Sequence, residues 1–233
     1  MTPMFANSAW VKTTERMVLR GGRRHKLDLC VRYGVFVHPT AGLTLIDTGY
    51  GPQTTGGAHR SWALKTYHWL IPSRLNPRGS LDITLQGLGY TTDDVKNVII
   101  THFHADHVSE LTRLSNARII ARKSAFIAVT TRGALANYRH GIFPELLPDG
   151  LIDRITDVEK LNSAALPFGL GHGRDIFGDG TVITVDLPGH AEGHFGLCFP
   201  RADPPLLYAV DAQWLVADWR RAISCDFAWG CIW

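Results

Sequence analysis

The chain has 233 residues, of which 45% are hydrophobic and 19% are charged, with a formal net charge of +3 at pH 7. This length suits one domain with a substantial core, and the composition is that of a globular protein rather than a disordered one. The mild charge points to no polyanionic partner, and four cysteines without CxxC spacing argue against a disulfide scaffold.

The first part of the chain is expected to alternate strands with turns. Residues Met1–Gly22 lack the apolar core of a signal peptide and no stretch approaches a membrane span, so we expect a cytoplasmic protein with no membrane partner. Gly34–His38 and Leu43–Asp47 are predicted strands joined by the turn Pro39-Thr-Ala-Gly42. Residues from about 50 to 80 are rich in Gly, Pro, Trp and His, which predicts a long loop or short helices over a surface.

The most informative segment is Thr101–His107, which follows the predicted buried strand Asn97–Ile100. It places three imidazoles and one carboxylate within six consecutive positions, at His102, His104, Asp106 and His107. Imidazole nitrogen and carboxylate oxygen are ligands that suit zinc and its first-row neighbours. The segment therefore predicts a metal site at the end of a strand.

The middle of the chain is harder to interpret. Arg118–Ala121 is a predicted strand and Ser124–Thr130 a predicted helix, but the chain beyond them is irregular. The long interval between His107 and His190 leaves room for a cap over the site, at about 123–178. Its apolar residues either line a pocket or pack in the core; they are Phe126, Tyr138, Phe143, Leu146, Leu147 and Phe168.

Two later positions extend the metal-binding pattern. Three predicted strands follow the irregular region, at Thr181–Asp186, His194–Phe199 and Leu206–Val210. His190 lies just beyond the first of these strands, after a Pro-Gly turn, and Asp211 ends the last one. Two groups of strands separated by helices favour a layered α/β architecture.

Taken in order, these motifs resemble the metallo-β-lactamase-fold hydrolases, in the branch of the N-acyl homoserine lactonases. The matching motifs are His102-x-His104-x-Asp106-His107, Pro188-Gly189-His190, Asp211 and the early Leu45-Ile46-Asp47-Thr48-Gly49. The resemblance runs from about Gly34 to Trp214. It implies an α/β protein with an αββα four-layer sandwich, formed by residues 1–233 as a single domain, with the metal site at one edge.

Carried over position by position, the resemblance implies a dinuclear centre, with zinc expected and manganese or iron as alternatives. His102, His104 and His190 would bind one metal, Asp106 and His107 would bind the second, and Asp211 would bridge the two. Asp47 would accept a hydrogen bond that fixes a ligand. His194 would support the ligands without being one itself.

The expected function is hydrolysis of a small ester, lactone or similar acyl substrate by a metal-bound hydroxide, with Asp106 and Asp211 as the catalytic carboxylates. Thioesterase, β-lactamase and phosphodiesterase activities of the same fold stay open. A nucleic-acid-processing member would need a basic groove and a further domain, which neither the charge nor the length supports.

The chain departs from the family pattern near its end. Dinuclear members supply one more histidine well after the bridging aspartate, whereas no histidine follows His194 here, and Trp214 stands where the lactonases carry a tyrosine. We therefore expect a C-terminally truncated second half and a deficient second metal site. The alternative function is a weakly active or non-catalytic remnant that binds one metal, unless Asp218, Cys225 or Asp226 substitutes as a ligand.

Overall fold

Two larger β-sheets, a separate two-stranded hairpin and a set of short helices make up the computed structural model, which describes residues 1–19, 21–56 and 60–212. The strands are β1 (Met4–Thr14), β2 (Lys26–His38), β3 (Gly42–Ile46), β4 (Ser73–Leu75), β5 (Asn97–Ile99), β6 (Arg118–Ala121), β7 (Ile155–Asp157), β8 (Ser163–Ala165), β9 (His172–Arg174), β10 (Ile183–Asp186), β11 (Phe195–Phe199) and β12 (Leu206–Tyr208). The helices are α1 (Glu15–Val18), α2 (Pro52–Thr55), α3 (Trp62–Leu70), α4 (Leu81–Gly87), α5 (Ala105–Val108), α6 (Lys123–Thr131), α7 (Ala134–Arg139) and α8 (Leu151–Arg154). Within these described ranges, no helix has the length and apolar character needed to cross a membrane.

The larger sheet has the strand order β4-β1-β2-β3-β5-β6-β7. The strands from β3 through β5 and β6 to β7 are parallel, so helical crossovers join them. Because β3 and β5 are parallel neighbours, their carboxyl ends lie at the same edge of the sheet. The turn after β3 carries Asp47 and the turn after β5 carries Thr101–His107, so the topology itself brings these two segments together.

The larger sheet is buried on both faces because successive side chains of a strand point to opposite sides. One core, on the side of the helices, takes Leu45, Val98 and Ile119 from the three central strands, together with Leu64 and Leu85. The opposite core takes the next residue of each strand, Ile46, Ile99 and Ile120, together with Phe195, Leu197 and Phe199 of β11. Each fully buried side chain of this size contributes about 1.5–3 kcal/mol to the stability of the fold. The turns at the strand ends are therefore attached to a well-packed sheet.

The smaller sheet has the order β10-β11-β12 and is antiparallel. Its outer face places Ile183, Val185 and Cys198 against Leu166, which follows β8 in the β8–β9 hairpin. The predicted α/β class and the two sheets face to face are confirmed. Among the described residues a hairpin covers the outer face of the smaller sheet, where helices were expected. The predicted incomplete second half concerns residues 213–233, which lie outside the described ranges.

Two segments contain strands that were not predicted. At about 50–80, where a long loop or short helices were expected, the short helices α2 and α3 are present, and β4 in addition extends the larger sheet by pairing with β1. The predicted cap at about 123–178 contributes β7 to the larger sheet, and Phe126, Phe143 and Leu146 pack in the core next to the helices. Phe168 is 60% exposed. Strands of three residues carry too little periodicity to be recognised in a segment rich in proline and glycine.

Candidate metal centre

Backbone hydrogen bonds join the two turns at the edge of the larger sheet. The N–H of Asp47 donates to the carbonyl of Ile99 at 2.8 Å, and the N–H of Thr48 donates to the carbonyl of His107 at 2.9 Å. The metal-binding segment leaves β5, turns through His102 and His104, and enters α5 at Ala105. Its side chains are therefore held against the turn after β3 rather than projecting from a free loop.

The carboxylate of Asp47 organises this junction. Its Oδ1 accepts from the backbone N–H of Thr101, and its Oδ2 accepts from Thr101 Oγ1 and from His107 Nδ1, each at 2.8 Å. Asp47 is fully buried, so these donors compensate a charge that would otherwise be costly to bury. Its φ of 57° is left-handed, a conformation that aspartate tolerates better than most residues. Because Nδ1 of His107 donates to Asp47, Nε2 is the ring nitrogen that faces the carboxylates of Asp106 and Asp211 and can serve as a ligand atom.

The first group of candidate ligands consists of His102, His104, His190 and Asp211. From His190 Nε2 the distances are 3.2 Å to His102 Nε2, 3.0 Å to His104 Nδ1 and 3.3 Å to Asp211 Oδ2. His102 Nε2 lies 4.0 Å from Asp211 Oδ2. Three segments that are remote in the sequence therefore converge on one point.

These separations fit a metal ion. Four ligands arranged tetrahedrally at about 2.0–2.1 Å from zinc lie about 3.3–3.4 Å from one another, and the measured distances lie around this value. All four candidate atoms are within 4.8 Å of one another. Imidazoles packed only for stability have no reason to aim their ring nitrogens at a common centre.

The second group consists of Asp106, His107 and Asp211. His107 Nε2 lies 3.7 Å from Asp106 Oδ2 and 3.4 Å from Asp211 Oδ2. Asp211 is common to both groups through the same Oδ2 atom, which is the placement of a bridging carboxylate. Within the described part of the chain, the second group offers three candidate ligands and the first offers four.

The electrostatics of the two groups are opposite. Burial lowers the pKa of His104 to about 3 and lowers that of His102 well below its ordinary value, with the neighbouring imidazoles adding to the effect. Both rings are therefore neutral near pH 7, the form that binds metals. Burial also lowers the pKa of His107, but the carboxylates of Asp106, Asp47 and Asp211 outweigh it and raise that pKa well above its ordinary value. The negative charges of these carboxylates, which favour a proton on His107, also favour a metal cation beside it.

Asp211 carries a negative charge and follows a residue with a strained backbone conformation. Burial alone would raise its pKa, but His107, His190 and His102 hold it well below the ordinary value, so the carboxylate is ionised. The preceding residue, Val210, has φ of 52°. A β-branched residue in this region is rare and costs on the order of 1–3 kcal/mol, a kind of strain that clusters at functional sites.

His194 ends the loop that carries His190, here called the His190 loop (residues 187–194). Its Nδ1 donates to the carbonyl of Leu187 at 2.8 Å, which closes the loop on itself. Its ring lies 5.0 Å from that of His102, centroid to centroid. His194 belongs to neither group of candidate ligands, in keeping with the supporting place predicted for it.

All six predicted ligands lie at this site, and Asp47 lies beside His107 as the predicted contact requires. Their roles in binding metal stay predictions. Sequence reasoning assigned no role to Thr101, whose hydroxyl donates to Asp47 and lies 3.1 Å from His102 Nδ1. Its position directly before the first histidine is the only sequence signal for this link. The substitute ligands considered at positions 218, 225 and 226 lie outside the described residues, as does Trp214.

Comparisons with known proteins agree on one family. The family model described as the metallo-beta-lactamase superfamily matches residues 27–213. An N-acyl homoserine lactonase, AttM, of Agrobacterium fabrum is 28% identical over 198 residues, which are 83% of this chain and 69% of that protein. The structure of B. thuringiensis AiiA in a mutant form with N-decanoyl-L-homoserine bound superposes with a TM-score of 0.66 at 17% identity, over 95% of this chain and 79% of that one. AidC, a dizinc quorum-quenching lactonase, gives a TM-score of 0.56 at 14% identity, over 88% and 69% of the two chains.

Proposed function

The chain belongs to the metallo-β-lactamase superfamily and is a hydrolase of that fold, and from this premise we propose that it uses divalent metal to hydrolyse small lactones or esters. The observation that carries the proposal is the convergence of His102, His104, His190 and Asp211 at the separations expected around a tetrahedral ion. We propose in addition that residues 1–233 act as one domain, because residues of both sheets complete the same site.

We assign His102, His104, His190 and Asp211 to a first ion, and Asp106, His107 and Asp211 to a second. Zinc is the proposed metal because three imidazoles and a carboxylate form a donor set that it favours, with manganese or iron as alternatives. When bound, such ions lower the pKa of a water molecule towards neutrality and polarise the oxygen of a substrate carbonyl.

The side chains of this chain then have distinct tasks. Asp47 and Thr101 contact the Nδ1 atoms of His107 and His102 and so orient the two rings. Asp106 retains a partly exposed carboxylate, with 27% of its side chain accessible. Burial raises the pKa of Asp106, and the neighbouring Asp211 raises it further although His107 opposes this. We assign Asp106 to pass the proton released by the attacking water to the departing alkoxide oxygen when the acyl–oxygen bond of the lactone or ester breaks.

A lactone is the proposed substrate class because the chain shares 28% identity with N-acyl homoserine lactonase AttM over most of its length. An open pocket lies directly beside His104 and His190 and gives a small molecule access to them. The pocket is lined by His104, Arg132, His140, Ile142, Gly189, His190, Ala191 and Glu192. Its mixed apolar and polar wall suits an acyl group attached to a polar ring.

The proposal is tested by assaying zinc-loaded protein against an N-acyl homoserine lactone, an aryl ester, a thioester, a β-lactam and a phosphodiester. Proton release in a weakly buffered solution reports each reaction. We expect the lactone or the aryl ester to be cleaved fastest, and a chelator to stop the reaction. Preferred cleavage of the phosphodiester or the β-lactam would overturn the substrate class.

A matched variant tests the metal assignment independently of the substrate. His104→Ala removes one of the four ligands of the first group and should eliminate most bound metal, measured by elemental analysis. His172→Ala changes an exposed histidine of β9 and should leave metal content unchanged. Equal metal content in the His104→Ala variant and the parent would refute the site.

A second candidate function is retention of one metal with little turnover. The observation that favours it is that the second group has three ligands in the described residues, one of them shared. Metal affinity depends on ligand number and on supporting contacts. One bound metal per chain with no turnover of any tested substrate would select this candidate.

A further inference from the structure

The His190 loop lies on the surface between α6 and the rest of the site, and its ends are held by two arginines of one helix. Arg122 is the N-cap residue of α6 and Arg132 is its C-cap residue. Arg122 Nη2 donates to Asp186 Oδ1 at the start of the loop, and Arg132 Nη2 donates to Glu192 Oε2 near its end. The four residues Arg122, Arg132, Asp186 and Glu192 are here called the α6 clasp.

The loop also packs directly on α6 between these two contacts. Gly193 has φ of 68°, and a Cβ atom there would come within 2.7 Å of Ala125 Cβ. The helix therefore leaves no room for the loop to move towards it, and the clasp restrains movement along it. His190 lies inside the restrained stretch, four residues after Asp186 and two before Glu192.

We infer that the α6 clasp is a positioning device, in which Arg122 and Arg132 hold His190 at the distance needed to complete the first metal site. The inference rests on the proposed metal centre and adds residues outside it. His102 and His104 lie in a turn that is hydrogen-bonded to the turn after β3, whereas the His190 loop follows β10 and packs on α6, so contacts with α6 help to set the place of His190. Asp186 is 70% exposed and Glu192 is 50% exposed. Pairs this exposed add little to global stability, so their effect should appear in metal binding rather than in folding.

Arg122 is the more embedded member of the clasp. Its Nε lies 2.7 Å from Glu159 Oε1, and its guanidinium carbon lies 5.7 Å from the ring centroid of Phe195. These contacts tie the loop to β11 and to the 3-10 turn after β7 as well as to α6. Replacing Arg122 therefore also disturbs packing, which makes the Arg132–Glu192 pair the cleaner test.

The test uses Arg132→Glu, Glu192→Arg and the double variant that swaps the two charges. Zinc affinity is measured by competition with a chromogenic chelator, and cobalt is loaded separately to record its visible absorption spectrum, which reports ligand geometry. We expect each single variant to bind zinc about tenfold more weakly, the size typical of lost supporting contacts, with an altered cobalt spectrum. The swapped variant should recover most of both properties, because it restores the ion pair.

The controls separate this inference from its alternatives. Arg139→Glu reverses a charge in the last turn of α7 at an exposed residue with no ion pair in the described chain, and should leave zinc affinity unchanged. The swapped variant keeps the unfavourable negative charge at the C-terminus of α6, so its recovery excludes a helix-dipole effect. If Arg132 only contacts substrate, KM would rise while zinc affinity and the cobalt spectrum stayed at parent values, and the inference would be overturned.

A His190→Ala variant distinguishes failure of the clasp from failure of the metal centre. If His190→Ala loses zinc while both single clasp variants retain parent affinity, the clasp is wrong and the metal centre stands. If His190→Ala itself retains parent zinc affinity, the proposed centre is wrong and the clasp falls with it.

Discussion

His107 and His190 belong to different groups of the candidate metal centre, and the carboxylates that hold their surroundings differ widely in exposure. His107 donates to the fully buried Asp47, whose remaining oxygen positions are taken by Thr101. His190 is carried by a surface loop whose ends pair with arginines through the exposed Asp186 and Glu192. The first support is part of the core and cannot be lost without cost to folding. The second can change with little cost to folding, so it is where metal affinity can be adjusted independently of stability.

Asp211 belongs to both groups of candidate ligands, so its removal should have the largest effect on hydrolysis. Asp211→Ala should lower hydrolysis of a lactone or ester by about a hundredfold or more, since both ions lose a ligand. We expect only a small loss in the free energy of unfolding, because the Asp211 side chain is 21% exposed. Initial rates and thermal unfolding of the same preparation check this. Asp149→Ala, at an exposed loop position, is the matched control, and an Asp211→Ala variant as active as that control would exclude the bridging role.

Breaking the buried support should affect metal binding and folding together. Asp47→Ala removes the acceptor for three hydrogen bonds, including that of His107. We expect a loss of about 2–4 kcal/mol in the free energy of unfolding and of about 10- to 100-fold in zinc affinity. Urea unfolding and chelator competition measure the two quantities. If Asp47→Ala lowered zinc affinity but left the free energy of unfolding unchanged, Asp47 would affect metal binding without affecting folding, as proposed for the α6 clasp.

A second buried carboxylate sharpens the same contrast. Glu110 is 2% exposed, donates its backbone N–H to Thr48 Oγ1, and pairs with Arg113. Arg113→Met should destabilise the fold by about 2–3 kcal/mol near neutral pH, because a buried charge loses its partner. Adding Glu110→Gln should restore part of that loss.

The effect of Arg113→Met should depend on pH in a defined direction. Burial raises the pKa of Glu110 above its ordinary value of 4.5, although Arg113 opposes the rise. A raised pKa means that the folded state keeps the proton longer than the unfolded state does, so stability is greatest below the unfolded pKa and falls as pH rises through the folded pKa. Urea unfolding at about pH 5 and about pH 8 should therefore give a larger deficit at the higher pH. A deficit that is equal at both would contradict the assignment.

The exposed support should give the smallest change in stability. Arg132→Glu breaks a surface ion pair and should lower the free energy of unfolding by less than about 1 kcal/mol, even though it weakens zinc binding. Thermal unfolding of metal-free protein checks this. A loss as large as that of Asp47→Ala would show that the clasp is a folding element instead of a positioning one.

The surroundings of His107 and of His190 also differ in how far the sequence alone could predict them. The predicted strand is followed by four candidate ligands within six positions, His102, His104, Asp106 and His107. Their metal-binding chemistry can therefore be inferred from the sequence alone. Asp47 could be placed through the family resemblance, and the structure adds that its turn and the metal-binding turn end parallel neighbouring strands. The α6 clasp joins residues 60 or more positions apart, and an exposed arginine carries no sequence signal for its partner. The long strand β1 was not predicted either, because a register shift between Asn7 and Ala9 breaks its alternation.

The most direct test of the account is a zinc titration of metal-free protein followed by native mass spectrometry. Among the residues that the structure describes, the first group has four candidate ligands and the second has three, with Asp211 shared. We therefore predict that one zinc binds tightly and that a second binds only at zinc concentrations about tenfold or more higher, with hydrolysis appearing as metal is added. Two zinc ions bound with equal affinity would contradict the inequality of the two sites, and no zinc bound at all would contradict the metal centre itself.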